Sequence, residues 1–228
     1  LQQQLRTLPD LPANFDRVTR LTLISSHVTD ADIGRLLVNF RGLRVLSLDG
    51  GELTELPRAI GDMPHLRSLD LASNLITLKP ADVVLLGKAV RLEALSLRDN
   101  PLERAPDVSG MKNLRTLWLS NTGLHEWPAG VFRVPRPRDF NLDLRDNPIN
   151  RVPVFAPGSD NALIVARTLL SRERLATPDL LAQFKQYIEA AGYDPERQFP
   201  ARGEFDRRLW NTGVPQAQWR AKQRLWDH

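Results

Sequence analysis

The chain has 228 residues, 42% of them hydrophobic and 25% charged, enough to bury a sizeable core in one elongated domain or in one domain with an appendage. It contains no Cys, which excludes disulfides, zinc–thiolate sites and thiol nucleophiles, and its four histidines (His27, His65, His125 and His228) lack metal-ligand spacing. The net charge of +4 is mild and spread along the sequence, whereas a nucleic-acid footprint needs a clustered basic stripe; no run of about 20 apolar residues exists to cross a membrane.

The chain opens on Leu1-Gln2-Gln3-Gln4-Leu5, without an initiator Met or a secretory signal, and reads as part of a longer protein. Residues 5–12 look like the tail of a preceding unit, because one pattern then recurs. It runs apolar, two variable, apolar, one variable, apolar, two variable, then usually Asn. Leu66-Arg67-Ser68-Leu69-Asp70-Leu71-Ala72-Ser73-Asn74 is one example, and residues 92–100 are another. The units start at 18, 43, 66, 92, 114 and 139, at intervals of 25, 23, 26, 22 and 25 residues. This is the leucine-rich-repeat period.

The physical reading is direct. Each alternating stretch is a short strand, with leucines such as Leu69 and Leu71 on one face and Asp70 and Ala72 on the other. One unit cannot bury its leucines alone, so stacked units build a continuous core and a parallel sheet. Asn74, Asn100 and Asn147 have amides able to satisfy the turn after the strand; Ser26, Gly51 and Thr122 replace them. At Gly51 the turn is expected to rely on backbone freedom. The return segments mostly end in Pro, which suits an irregular back wall. Longer connectors suggest helical turns over residues 30–39, with Asp30 as cap, and over residues 82–90. Arg133-Val134-Pro135-Arg136-Pro137-Arg138 reads as a solvated loop, the alternative being a contact with a phosphate or an acidic partner. Beyond Pro153 the repeat stops. Residues 160–170 read as a helix covering the end of the stack, and Thr177-Pro178 starts another that Gly192 ends. Further helices are expected over residues 204–210 and from Pro215 onward.

The expected fold is therefore an α/β leucine-rich-repeat solenoid, a horseshoe with a parallel sheet on its concave face and a C-terminal helical segment. Residues 1–156 form the repeat domain, with six units plus a partial first one. Residues 157–228 form a helical cap or linker and the start of a truncated helical domain. The outward positions make columns up the concave face: Thr22, Ser47, Asp70, Ser96, Trp118 and Asp143 in one, Ile24, Asp49, Ala72, Arg98, Ser120 and Arg145 in the next. Strands about 4.8 Å apart give a footprint about 24 Å across, suited to a protein surface or peptide. The candidate protein-binding residues are Asp49, Asp70, Ser96, Arg98, Trp118, Asp143 and Arg145. Trp118 reads either as an aromatic interface anchor or as a ring lying across Asp143 and Ser96 that stiffens the sheet, and the charges would supply pairing and specificity. No catalytic, metal or cofactor-binding residue is expected. Asp70 and Asp143 are roughly 14 Å apart, too far for paired carboxylate chemistry, and no phosphate loop or Ser-His-Asp arrangement is present.

With residues 8–12 followed by 18–23, and with residues 218–226, the repeat region and the C-terminal quarter together resemble bacterial effector E3 ubiquitin ligases with a leucine-rich-repeat region and a NEL (novel E3 ligase) domain. They also resemble the repeat region of large toxin-like proteins of Pseudomonas-type bacteria. The carriers are Leu8-Pro9-Asp10-Leu11-Pro12 and the helix-like stretch Gln218-Trp219-Arg220-Ala221-Lys222-Gln223-Arg224-Leu225-Trp226. In that family the repeats select the substrate, and the ligase domain takes ubiquitin from an E2 onto a Cys and passes it to a Lys. The resemblance implies a parent protein secreted by a bacterium and acting in the host cytoplasm. It implies a host or target protein on the concave face and a ubiquitin-charged E2 at a domain beyond His228. This chain has no Cys, so no catalytic residue carries over, and its units exceed the family's repeat of about 20 residues. The alternative is a non-enzymatic repeat domain acting in protein interaction or as a scaffold, with no nucleic-acid or membrane partner.

Overall fold

The computed structural model describes residues 15–24, 29–175 and 177–196. Six strands, β1 (Arg20–Ile24), β2 (Val45–Asp49), β3 (Ser68–Asp70), β4 (Ala94–Ser96), β5 (Thr116–Trp118) and β6 (Asn141–Asp143), form one sheet in chain order. Every pairing is parallel, and the register matches repeat position to repeat position: Leu46 lies beside Leu69, Leu69 beside Leu95, and Leu95 beside Leu117. The chain is a leucine-rich-repeat solenoid. Its leucines line one continuous core, with Leu46, Leu71, Leu95, Leu117 and Leu144 fully buried. Each such side chain contributes roughly 1.5–3 kcal/mol by leaving water, which one short strand could not secure without its neighbours. At the N-terminal end Leu21 and Leu23 are only half-buried, and the stacked rings of Phe15 and Phe40, 5.0 Å apart, close part of that edge.

The asparagines tie the units together. The Asn100 amide donates to the carbonyls of Leu71, Leu97 and Arg98 at 2.9–3.0 Å, and its oxygen accepts from Ile76 N at 3.0 Å. Asn74 and Asn147 repeat the arrangement, each reaching one carbonyl of the previous unit and two of its own. A buried carboxamide is thus satisfied while it satisfies a turn. Where Thr122 replaces Asn, its hydroxyl reaches Leu119 O at 2.7 Å, and Leu102 N turns instead to the Thr122 backbone oxygen.

The residue before the Asn slot is left-handed in five successive units: Gly50, Ser73, Asp99, Asn121 and Asp146, with φ between 53° and 74°. The glycine that provides freedom in the second unit is therefore Gly50, not Gly51. The requirement falls on the slot, because the strand must turn sharply there to begin its return.

The convex side is mixed, as the connectors suggested. Helix α1 (Asp30–Leu37) is capped by Thr29 rather than Asp30: Thr29 Oγ1 accepts from Asp32 N, and the Asp32 carboxylate accepts back from Thr29 N, both at 3.3 Å. The Asp30 carboxylate instead accepts from Thr54 N and Thr54 Oγ1 in the next unit. A 3-10 turn follows over Arg58–Asp62, then α2 (Pro80–Gly87), with Pro80 in the first turn and Asp82 accepting from Lys79 N at 2.9 Å. Arg136 is not a solvated loop residue. Its half-buried guanidinium donates to the carbonyls of Met111, Gly130, Val131 and Val108 at 2.7–3.0 Å, and it lies 5.5 Å from the Phe140 ring. Burial holds its pKa below the ordinary arginine value.

At the C-terminal end, α3 (Asp160–Arg167) is capped by the Ser159 hydroxyl and stops three residues short of the expected end. The chain then turns extended, and Leu169 bridges to Asp143 in parallel, giving and receiving hydrogen bonds with Leu142 and Leu144 at 2.9 Å. The sheet thereby gains a seventh rung from outside the repeat pattern. Ser171 completes it: its hydroxyl accepts from Asp146 N at 2.9 Å, the donor that earlier units give to a neighbouring backbone carbonyl. Helix α4 (Pro178–Ala190), capped by Thr177 and followed by left-handed Gly192, buries Phe184 and Ile188. The Tyr187 hydroxyl donates to Pro153 O at 3.0 Å and accepts from Phe155 N at 2.7 Å. Residues 5–12, the helices expected over 204–210 and from Pro215, and the stretch 218–226 lie outside the described residues.

Candidate functional site

The concave face follows from strand alternation: with Leu69 and Leu95 inward, Asp70 and Ser96 point outward. The register places Ser47, Asp70, Ser96, Trp118 and Asp143 in one row across the sheet. All seven candidate residues belong to this row or the next, so the fold brings them together. Their accessibilities differ sharply.

Trp118 is 42% exposed, the one large aromatic among the exposed hydrophobics of the described residues. Its register neighbours on either side, Ser96 and Asp143, are only 2% and 3% exposed. The bulky ring therefore rises from a row whose adjacent polar groups are withdrawn from solvent. Asp143 faces Arg145, which holds it bidentately at 2.9 and 2.6 Å while Arg145 N donates to the same carboxylate at 3.0 Å. The carboxylate raises the pKa of the Arg145 guanidinium above its ordinary value. Asp70 makes the matching backbone bond, accepting from Ala72 N at 3.1 Å.

In the second row Arg98 and Asp49 approach to 3.8 Å although their strands are not adjacent. Ala72, just past β3 in the unit between them, is fully buried. The small methyl leaves room for the long Arg98 side chain to reach across to Asp49. Ala72 is thus the floor of an ion pair rather than part of the surface. The sequence signal was available: an Ala between opposite charges in one column. Four of the five candidate charges are therefore engaged with one another, Asp49 with Arg98 and Asp143 with Arg145. Trp118 and the half-exposed Asp70 stand beside them.

Among the described residues, no cluster of three or more His, Asp or Glu is placed to hold a metal, and no helix is long and apolar enough to cross a membrane.

No family model matches the chain. It is 29% identical over 132 residues to a volume-regulated anion channel subunit of Rattus norvegicus, a match covering 50% of this chain and 15% of the subunit. Among solved structures, a leucine-rich-repeat protein of Leptospira interrogans superposes with a TM-score of 0.52 at 26% identity, covering 68% of this chain and 36% of that one. An internalin of Listeria monocytogenes gives a TM-score of 0.48 at 17% identity, with 67% and 40% covered. The chain thus spans well under half the length of these proteins. What the Leptospira protein shares with it is the repeat fold.

Proposed function

We propose that the chain is a non-catalytic protein-recognition domain whose concave face holds a partner protein, with Trp118 as its anchor. The supporting observation is the exposure of Trp118 between two buried polar neighbours in the sheet. Aromatic side chains carry much of the energy at protein interfaces because they bury large area with little lost rotamer freedom. The paired charges beside it are already positioned, so they set specificity without being reordered when a partner docks. Proteins captured by the wild-type chain serve as the test ligands. Trp118→Ala weakens their binding more than tenfold and leaves the melting temperature nearly unchanged. If stability falls and affinity holds, the ring is structural and the reading is wrong.

A second reading makes this domain the substrate-binding arm of a secreted bacterial E3 ubiquitin ligase acting in the host cytoplasm. It rests on the resemblance of residues 8–12 and 218–226 to that family. In this reading a Cys-bearing domain beyond His228 receives ubiquitin from a charged E2. Ubiquitin transfer by the full parent protein, lost when its Cys is replaced, is the expected result. A parent protein with no such domain rules this reading out.

A further inference from the structure

The positive charge that looked dispersed in the sequence is gathered by folding onto one edge of the solenoid. The stretches leading into the strands (15–20, 39–45, 62–68, 88–94, 110–116 and 133–141) hold twelve Lys or Arg against four Asp or Glu. Eleven of those twelve cations are exposed. The stretches leaving the strands (29–32, 49–56, 72–79, 98–105, 120–127 and 145–152) hold five against nine. Backbone bonds fix the alignment: Arg67 N donates to Arg44 O, Glu93 N to Arg67 O, and Arg115 N to Glu93 O, at 2.7–2.8 Å. Two of the four acids are engaged by neighbouring cations of this edge, Glu93 by Arg67 at 2.7 Å and Asp139 by Arg115.

At its C-terminal end the basic edge runs into a cleft of about 820 Å³ between the 133–138 loop and α3. Arg133, Arg138 and Arg167 line it, opposed by Asp160 alone among acids. Phe132, Leu163, Ile164 and Tyr193 contribute apolar surface. The loop wall is rigid, because Arg136 anchors it through four backbone carbonyls. This volume lies within the range of preformed ligand sites, about 300–1,000 Å³.

We propose that this cleft and the basic edge beside it bind an acidic peptide segment of a partner protein, with one apolar side chain seated in the cleft. Charge complementarity selects carboxylates. The apolar lining of the cleft fits a peptide that carries one hydrophobic side chain better than an unbroken chain of phosphates. The residues after Glu196 are a poor occupant, since they hold seven Lys or Arg against three Asp or Glu. This surface is separate from the concave row through Trp118, so the proposal stands or falls independently of that one.

The test uses the full chain and a fluorescent peptide of glutamates around one central Phe, followed by anisotropy. Saturable binding that weakens with salt is expected. Arg133→Glu with Arg138→Glu lowers affinity at least tenfold at an unchanged melting temperature, whereas Arg58→Glu, the same reversal away from this edge, has little effect. Replacing the peptide's Phe by Ser costs a further tenfold. The proposal is overturned if the reversed pair binds normally, or if the Ser peptide binds as well as the Phe peptide. It is also overturned if a single-stranded oligonucleotide or phosphatidylserine vesicles bind while the peptide does not, or if the chain's own self-association accounts for the signal.

Discussion

At the residue scale the structure turns on two slots of the repeat. The left-handed slot tolerates Ser73 at a cost, because a Cβ crowds the carbonyl there. Ser73→Gly is expected to stabilise the chain by about 0.5–1 kcal/mol, and Gly50→Ala to destabilise it by about 1 kcal/mol or more, both readable in urea denaturation. Gly130 is under a second constraint: its φ is +80°, and an added Cβ would meet the Ser109 backbone at 2.5 Å. In the Asn slot, Asn100→Ala strips a donor from three carbonyls and an acceptor from Ile76 N in a buried place. A loss of about 2–4 kcal/mol is expected, and a smaller loss would mean that water replaces the amide. The slot was visible in the sequence as a recurring Asn. The left-handed residue before it was not, because Gly, Ser, Asp and Asn share no chemistry that marks the position.

At the scale of elements, the sequence placed the six strands and their inward leucines correctly because the two-residue period leaves little choice. It misjudged ends and caps. Thr29 caps α1 because its Asp32 partner returns the bond, while Asp30 is drawn to the neighbouring unit, a contact between units that no local pattern reveals. It misjudged Arg136 for the same reason, since the four carbonyls come together only when two units stack. Arg136→Ala should cost about 2–4 kcal/mol by melting, and Arg136→Lys should not restore it, because a point donor cannot span the same carbonyls. Two carboxylates make the acid response predictable. The Thr29 hydroxyl holds the Asp32 pKa below its ordinary value, and the Ser109 hydroxyl does the same for Asp107. A lowered folded-state pKa means that the stabilisation is full above the ordinary value of 3.8 and is lost as pH falls through the folded one. These groups therefore leave stability flat near neutrality and steepen its fall below about pH 4. Asp107→Asn should flatten that acid limb in a series of pH-dependent melts.

At the scale of the whole molecule, the concave face was legible as columns, but its accessibility was not. Counting columns treats every outward position alike, whereas the three-dimensional row buries Ser96 and Asp143 and closes an ion pair over Ala72. The charge asymmetry was hidden for a similar reason. Each basic residue sits among ordinary neighbours in sequence, and only the stacking period puts Arg44, Arg67 and Arg115 along one edge. The seventh rung was also out of reach, because Leu169 lies outside the repeat pattern. Leu169→Pro removes its donor to Leu142 O and is expected to lower stability by about 3 kcal/mol; an unchanged melt would show that α3 seals the end without it.

The asparagine ladder also bears on how such a chain changes length over generations. Asn74 and Asn100 bond only to groups that every unit offers at the same place. A duplicated unit spliced between β3 and β4 would find its partners waiting above and below, and no existing residue would need to change. Arg98 and Trp118 would stay adjacent, while Asp49 would be carried about 4.8 Å further from Arg98. Their ion pair would open and the footprint would widen by one strand. The outward face of such a stack is therefore extended in fixed increments of one strand, by gene duplication and before any side chain is altered.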